Sequence, residues 1–181
     1  MLEEGARSYF EAHTVIADYE REVQKKCREV LKKHLVAYQA ALDIKLRDED
    51  IKDYAYHDSD SADLGVKIAR PAETPGVSWW ESYCALHWNY TDPRFPHIVL
   101  WVGMALPTKK MAAALHTKMQ FAGTERDRWT VYLEQELEVH EAADFEEKLE
   151  ELLCKWIDAW KQLDGFKGFL STIQTQALSK E

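Results

Sequence analysis

The chain has 181 residues, a formal net charge of −9, and 46% apolar and 30% charged residues, the make-up of a folded domain rather than a disordered segment. A domain of this size hides roughly 70% of its unfolded surface, so one core over 1–181 is expected, without disulfides or a structural metal. The acidic balance argues against nucleic-acid and anionic-membrane binding, and the longest apolar run, Ile98 to Leu106, is too short to span a bilayer.

The first long element is a helix from about Glu3 to Asp43. Tyr9, Ile16, Tyr19, Val23, Cys27, Val30, Tyr38 and Ala41 recur at three- and four-residue steps, and no proline interrupts them. Arg21, Lys25, Arg28, Glu29, Lys32 and Lys33 carry the opposite side. A stripe this long needs a broad partner surface.

Asp48 to Asp63 reads as an acidic connector, with Asp48, Glu49, Asp50, Asp53, Asp58, Asp60 and Asp63 against Lys52. A short strand over Leu64–Ala69 follows, and Pro71, Pro75 and Gly76 mark a loop. Two stronger strands, about Val77–Tyr90 and His97–Leu106, are joined through Asp92–Pro96 as a hairpin. One face of the pair presents Cys84, Leu86, Trp88, Ile98, Leu100 and Val102, and alternate residues point the other way. Thr108 suits the N-cap of a short helix striped by Met111, Leu115 and Met119. A further strand, about Arg128–Glu138, alternates Trp129, Val131, Leu133 and Leu137 with polar residues.

The last stretch has the clearest helical pattern. Asp144 and Glu147 have capping-box spacing, and Phe145, Leu149, Leu152, Trp156, Trp160 and Leu163 follow at helical steps. Gly165 is placed to end that helix as C′. Phe166, Phe169, Leu170 and Ile173 suggest one more short helix. The order of elements predicts an α+β fold: an antiparallel sheet of about four strands packed on the long N-terminal helix and a C-terminal helix pair.

The second sheet face carries the candidate site. It collects Trp79, Glu81, Tyr83 and His87 from one strand, His97, Val99 and Trp101 from the next, and Tyr132, Glu134, Glu136 and Glu138 from the last. With Asp92–Pro96 as the loop, Thr91 faces His97 and His87 faces Trp101. A solvated sheet face rarely needs two Trp and two Tyr, so either another segment covers it or it binds something.

The motifs of chemistry are weak. Cys27, Cys84 and Cys154 are odd in number and far apart, which argues against a disulfide framework and CxxC metal sites. With a charged start that does not resemble a signal peptide, they point to the reducing cytoplasm and a soluble protein. The histidines share no metal-ligand spacing, so no bound metal is expected. His57–Asp63 resembles a calcium loop but has Ala62 in place of an oxygen ligand and Asp63 where glycine is needed. Cys84 falls on the core face, no GxSxG elbow is present, and no glycine-rich loop would hold a phosphate or a nucleotide cofactor. The basic run Lys25, Lys26, Arg28, Lys32 and Lys33 is diluted by Glu29 on its own face. It would be neutralised if the acidic Glu134–Glu151 segment packed beside it.

These observations favour a non-enzymatic interaction protein with an inhibitor-like or immunity-like profile: small, acidic and aromatic-rich. Its binding residues would be Trp79, Glu81, Tyr83, His87, Trp101, Tyr132, Glu134 and Glu136. The expected partner is a protein, basic by charge complementarity, with no cofactor. The alternative is a small enzyme or ligand binder that uses Glu81, His87, Glu134 and Glu136 on the same face. Concavity separates the two, since a flat face suits a protein and a closed pocket suits chemistry.

Overall fold

The computed structural model describes residues 2–71, 77–89, 91, 97–138, 141 and 144–178. Helix α1 (Leu2–Lys33) and helix α2 (Leu35–Leu42) lead into strands β1 (Ile51–His57), β2 (Ser61–Pro71), β3 (Trp79–Asn89) and β4 (His97–Ala105). Helix α3 (Lys109–Met119), strands β5 (Glu125–Arg126) and β6 (Thr130–Leu137), and helices α4 (Glu146–Gln162) and α5 (Gly165–Leu178) complete the chain. The fold is α+β. Its sheet has six antiparallel strands in the order β1-β2-β3-β4-β6-β5, rather than about four.

The two unexpected strands lie at opposite edges. β1 falls inside the stretch read as an acidic connector, and only Ile51 of it is buried. An edge strand wet on most of its surface shows no hydrophobic alternation to read. It is held instead by polar groups one helical turn apart on α1. Glu20 meets His57 at 3.3 Å, Gln24 donates to the Tyr54 carbonyl at 3.2 Å, and Arg28 bonds the Ile51 carbonyl at 3.0 Å and Asp53 at 2.7 Å. The Asp58 carboxylate closes the β1–β2 hairpin by accepting from the Asp60 and Ser61 amides, and those bonds lower its pKa. The calcium-like run is therefore a hairpin turn.

One sheet face meets the helices. Leu64, Val66 and Ile68 of β2, Trp80, Cys84 and Leu86 of β3, and Ile98, Leu100, Val102 and Met104 of β4 are buried there with Val131, Leu133 and Leu137 of β6. Against them pack Val23, Cys27, Val30 and Leu31 of α1 and the apolar side of α4, with α5 behind α4. Tyr38 crosses this layer to donate to Ser82 at 2.6 Å, and Ser82 donates on to the Gly103 carbonyl at 2.9 Å. Lys26 pairs with Glu146 at 2.8 Å, and Lys33 and His34 meet Glu150 at 2.7 Å and 2.9 Å. Lys26 and Lys33 of the basic run are thus paired with the acidic segment, while Arg28 and Lys32 pair with Asp53 and Asp48.

Several local expectations are corrected. The first helix breaks at His34, and Tyr9 and Ile16 stand in solvent, because periodicity reports an apolar face but not where its partner surface ends. Thr108 caps α3 as expected, accepting from the Met111 amide at 3.1 Å. Asp144 does not cap α4: the helix starts at Glu146 behind Phe145, with no side-chain cap. α4 ends at Gln162 with Leu163 as its C-cap, so the left-handed C′ position falls on Asp164 rather than Gly165, and Gly165, also at positive φ, opens α5. The hairpin register differs by two residues, since Asn89 opposes His97 and His87 opposes Val99. A shift of two leaves every side chain on its expected face. The Asp92–Pro96 connection and the loop residues Pro75 and Gly76 lie outside the described residues. Among the described residues no helix is long and apolar enough to cross a membrane.

Candidate functional site

The other sheet face carries a row of rings across four strands. Tyr54 of β1, Tyr83 of β3, Trp101 of β4 and Tyr132 of β6 follow one another with centroid separations of 5.1, 5.0 and 6.4 Å. Small residues stand beside these rings in the register. Gly65 opposes Tyr54, Ala85 opposes Trp101, and Gly103 has Tyr83 on one side and Tyr132 on the other. A Cβ on Gly103 would come 2.6 Å from the Cβ of Tyr132, so the close approach there requires glycine.

At the β1 end the row already holds a cation. The Lys67 ammonium lies 5.8 Å from the Tyr54 ring centroid and 3.1 Å from the Glu81 carboxylate. Tyr83 donates to the same carboxylate, and both burial and that bond raise its pKa. Tyr54 reaches Asp63 at 3.3 Å, and its hydroxyl is likewise pushed up, first by burial and then by Asp63.

At the β6 end the face opens into a trough of about 510 Å³, lined among others by Asp63, His87, His97, Trp101, Asp127, Tyr132, Glu134 and Glu136. Asp63 meets His87 Nδ1 at 2.7 Å, and Glu136 meets His97 Nε2 at 3.1 Å. The Glu134 and Asp127 carboxylates make no hydrogen bond or ion pair among the described residues. Burial raises the Tyr132 pKa, and the negative charge of Glu134, Glu125 and Asp127 raises it further. Among the described residues no lysine or arginine lines this end of the row.

Of the residues expected in the site, His87, Trp101, Tyr132, Glu134 and Glu136 line the trough together. Tyr83 belongs to the row, under its Lys67-filled end. Glu81 is tied to Lys67 and Tyr83 and does not join the other carboxylates, which corrects the expected cluster of Glu81, His87, Glu134 and Glu136. Trp79 is exposed at the start of β3, away from the trough. Among the described residues no helix lies over this face, because α5 packs on the opposite side, where Phe166 meets Trp80. Asn89, Thr130 and Asp127 were missed, as were Tyr54 and Asp63 on the unread hairpin. The signal for the hairpin was present as alternation: Ala62, Leu64, Val66 and Ile68 against Asp63, Gly65 and Lys67.

Among the described residues no group of three or more His, Cys, Asp or Glu is placed to hold a metal ion. Burial pushes the Cys84 thiol up to about 12, so it has no nucleophilic character at neutral pH. No family model, curated protein or solved structure matches the chain.

Proposed function

We propose that this is a non-catalytic binding protein that docks a protein partner on the aromatic, acidic face of its sheet. One observation carries the reading. Trp101 and Tyr132 lie beside the carboxylates of Glu134 and Asp127, which make no hydrogen bond or ion pair among the described residues, in a trough no described helix covers. Aromatic centres with charged rims are where interfaces concentrate their energy. The net charge of −9 and the paired state of the basic run on α1 speak against nucleic acid as the partner. The three thiols are free and two are buried, which fits the reducing cytoplasm.

The test is affinity capture with the wild-type protein and with Tyr132→Ala/Glu134→Lys in parallel, both checked for an intact melt. The reading expects a partner retained by the wild type and lost from the variant. Identical sets of captured proteins would overturn it.

The Asp63–His87 pair favours a second reading, a small-molecule site with acid–base chemistry. A carboxylate on Nδ1 at 2.7 Å fixes the imidazole and leaves Nε2 to exchange a proton with a bound ligand. Under this reading His87→Gln abolishes turnover of a ligand while leaving its binding intact. Under the binding-protein reading it changes affinity only.

A further inference from the structure

We propose that the trough is a receptor for a single arginine side chain of the partner, with the guanidinium seated against Trp101 and Tyr132 and paired to Glu134. This rests on the reading above that the face is where the partner docks, and it names the group recognised.

The chain contains its own precedent at the other end of the row. There a side-chain cation, Lys67, lies over the ring of Tyr54 and is held by the carboxylate of Glu81, which also accepts from Tyr83. An aromatic face and a carboxylate together make a cation site, because the ring quadrupole and the full negative charge attract the same group. The same two components recur at the β6 end. Trp101 and Glu134 are direct cross-strand partners, so the carboxylate stands beside the indole. Tyr132 comes next along the row, its ring at 77° to that of Trp101. Asp127 adds a second carboxylate on the far wall. The β1 end has a cation, and among the described residues none is paired with Glu134.

The chemistry of the walls selects the cation. The flat indole of Trp101 with the Glu134 carboxylate beside it favours a planar group over a compact ammonium. The guanidinium is planar, more weakly hydrated, stacks on an indole, and pairs with a carboxylate through two N–H groups at once. Asp63 is engaged by His87 and Tyr54, and Glu136 by His97. Of Glu134 and Asp127, which make no hydrogen bond or ion pair among the described residues, Glu134 is the direct cross-strand partner of Trp101 and is therefore the acceptor. An unmodified arginine on an exposed segment of a protein meets these conditions, and a neutral side chain of the same shape does not.

The test uses capped peptides acetyl-Gly-Arg-Gly-amide, its lysine counterpart and its citrulline counterpart, which keeps the shape of arginine without the charge. Binding to the full chain is followed by the indole proton resonance of Trp101, assigned from Trp101→Phe. The expected result is saturable binding of the arginine peptide, weaker binding of the lysine peptide, and at least a tenfold loss with citrulline. Glu134→Gln should weaken arginine binding about tenfold. Glu151→Gln makes the same change of net charge on the exposed side of α4 and should leave it unchanged. Equal binding of arginine and citrulline, equal effects of the two glutamine variants, or no saturation overturns the inference. Its failure is distinct from that of the docking reading. A partner captured through the trough whose binding survives replacement of its arginines sinks the arginine site alone. A charge-selective arginine site with an unchanged set of captured proteins sinks the docking reading alone.

Discussion

The ring of Tyr83 lies 5.0 Å from that of Trp101, tilted by 32°, so the central tryptophan of the face is packed in the free protein. Its other neighbour is Tyr132, edge-on at 6.4 Å. Each such contact contributes about 0.5–1.5 kcal/mol beyond simple burial, so Trp101→Ala should lower stability by roughly 1–3 kcal/mol. Urea denaturation checks this. An unchanged midpoint would show that the row is loose in solution. Because the variant still folds at this level of loss, its binding defect remains interpretable.

Gly165 has φ +63, and a Cβ there would come 2.8 Å from the backbone of Leu42 at the end of α2. Alanine meets both penalties. The left-handed conformation alone costs about 1–2 kcal/mol, and the contact forces α5 away from α2. Gly165→Ala should therefore destabilise by about 2 kcal/mol or more in a thermal melt. Gly123 is also left-handed, at φ +76, but nothing lies within 4 Å of a Cβ built on it. Gly123→Ala should show the smaller, purely conformational loss.

Much of the candidate site was legible because β-strands sort side chains by parity. Once β3, β4 and β6 were read, Trp101, Tyr132, Glu134 and Glu136 followed onto one face, and even a register error of two residues left them there. What parity does not show is pairing between side chains. Glu81 and Glu134 look equivalent along their strands, yet Lys67 neutralises one and no described residue pairs with the other. β1 was illegible for a different reason. Its attachment to α1 runs through Glu20, Gln24 and Arg28, and polar seams leave no hydrophobic period. The exposed first half of α1 shows the opposite failure, with a clear period in Tyr9 and Ile16 and no partner surface among the described residues to receive it.

Trp160 is fully buried, with Phe166 at 5.0 Å, Trp156 at 6.1 Å and Phe169 at 6.2 Å between ring centroids. Truncation to alanine leaves a large cavity between α4 and α5 and should lower stability by about 3–5 kcal/mol. The indole Nε1 has no hydrogen-bond partner among the described residues. Trp160→Phe removes that unpaired donor along with some volume, so it should retain most of the stability lost in Trp160→Ala. Calorimetric melts of the two variants side by side decide this. Equal losses would show that the indole N–H is satisfied by water.

Tyr54 and Tyr83 both have raised pKa values in the folded state, in each case mainly through burial and then through a neighbouring carboxylate. In the unfolded chain a phenol ionises near its ordinary value of about 10. A raised folded pKa means that the stabilisation is fully present below that value and is lost as pH climbs from it toward the folded pKa. The protein should therefore weaken on the alkaline side, with a urea midpoint that begins to fall near about pH 10 and keeps falling above it. Tyr83→Phe should flatten that fall, because phenylalanine has no proton to lose in either state. A slope unaltered by Tyr83→Phe would place the alkaline sensitivity on other groups.

The two glutamates of β6 should contribute unequally to capture of a basic partner. Glu136 is 64% exposed at its side chain but already shares His97 at 3.1 Å, whereas Glu134 has no hydrogen bond or ion pair among the described residues. Charge at the rim of an interface acts mainly on the association rate, and its reach is a screening length of about 10 Å at 0.1 M salt. Glu134→Gln should therefore slow association and reduce its dependence on salt more than Glu136→Gln does. Dissociation should respond chiefly to Trp101→Ala, since the buried aromatic contacts hold the complex once formed. Stopped-flow association across a salt series, with the captured partner or the arginine peptide, separates these terms. Equal salt slopes for the two glutamine variants would show that the trough acts through its total charge. A steeper loss with Glu134→Gln would place the recognised cation beside Trp101, where the cross-strand pair puts the carboxylate.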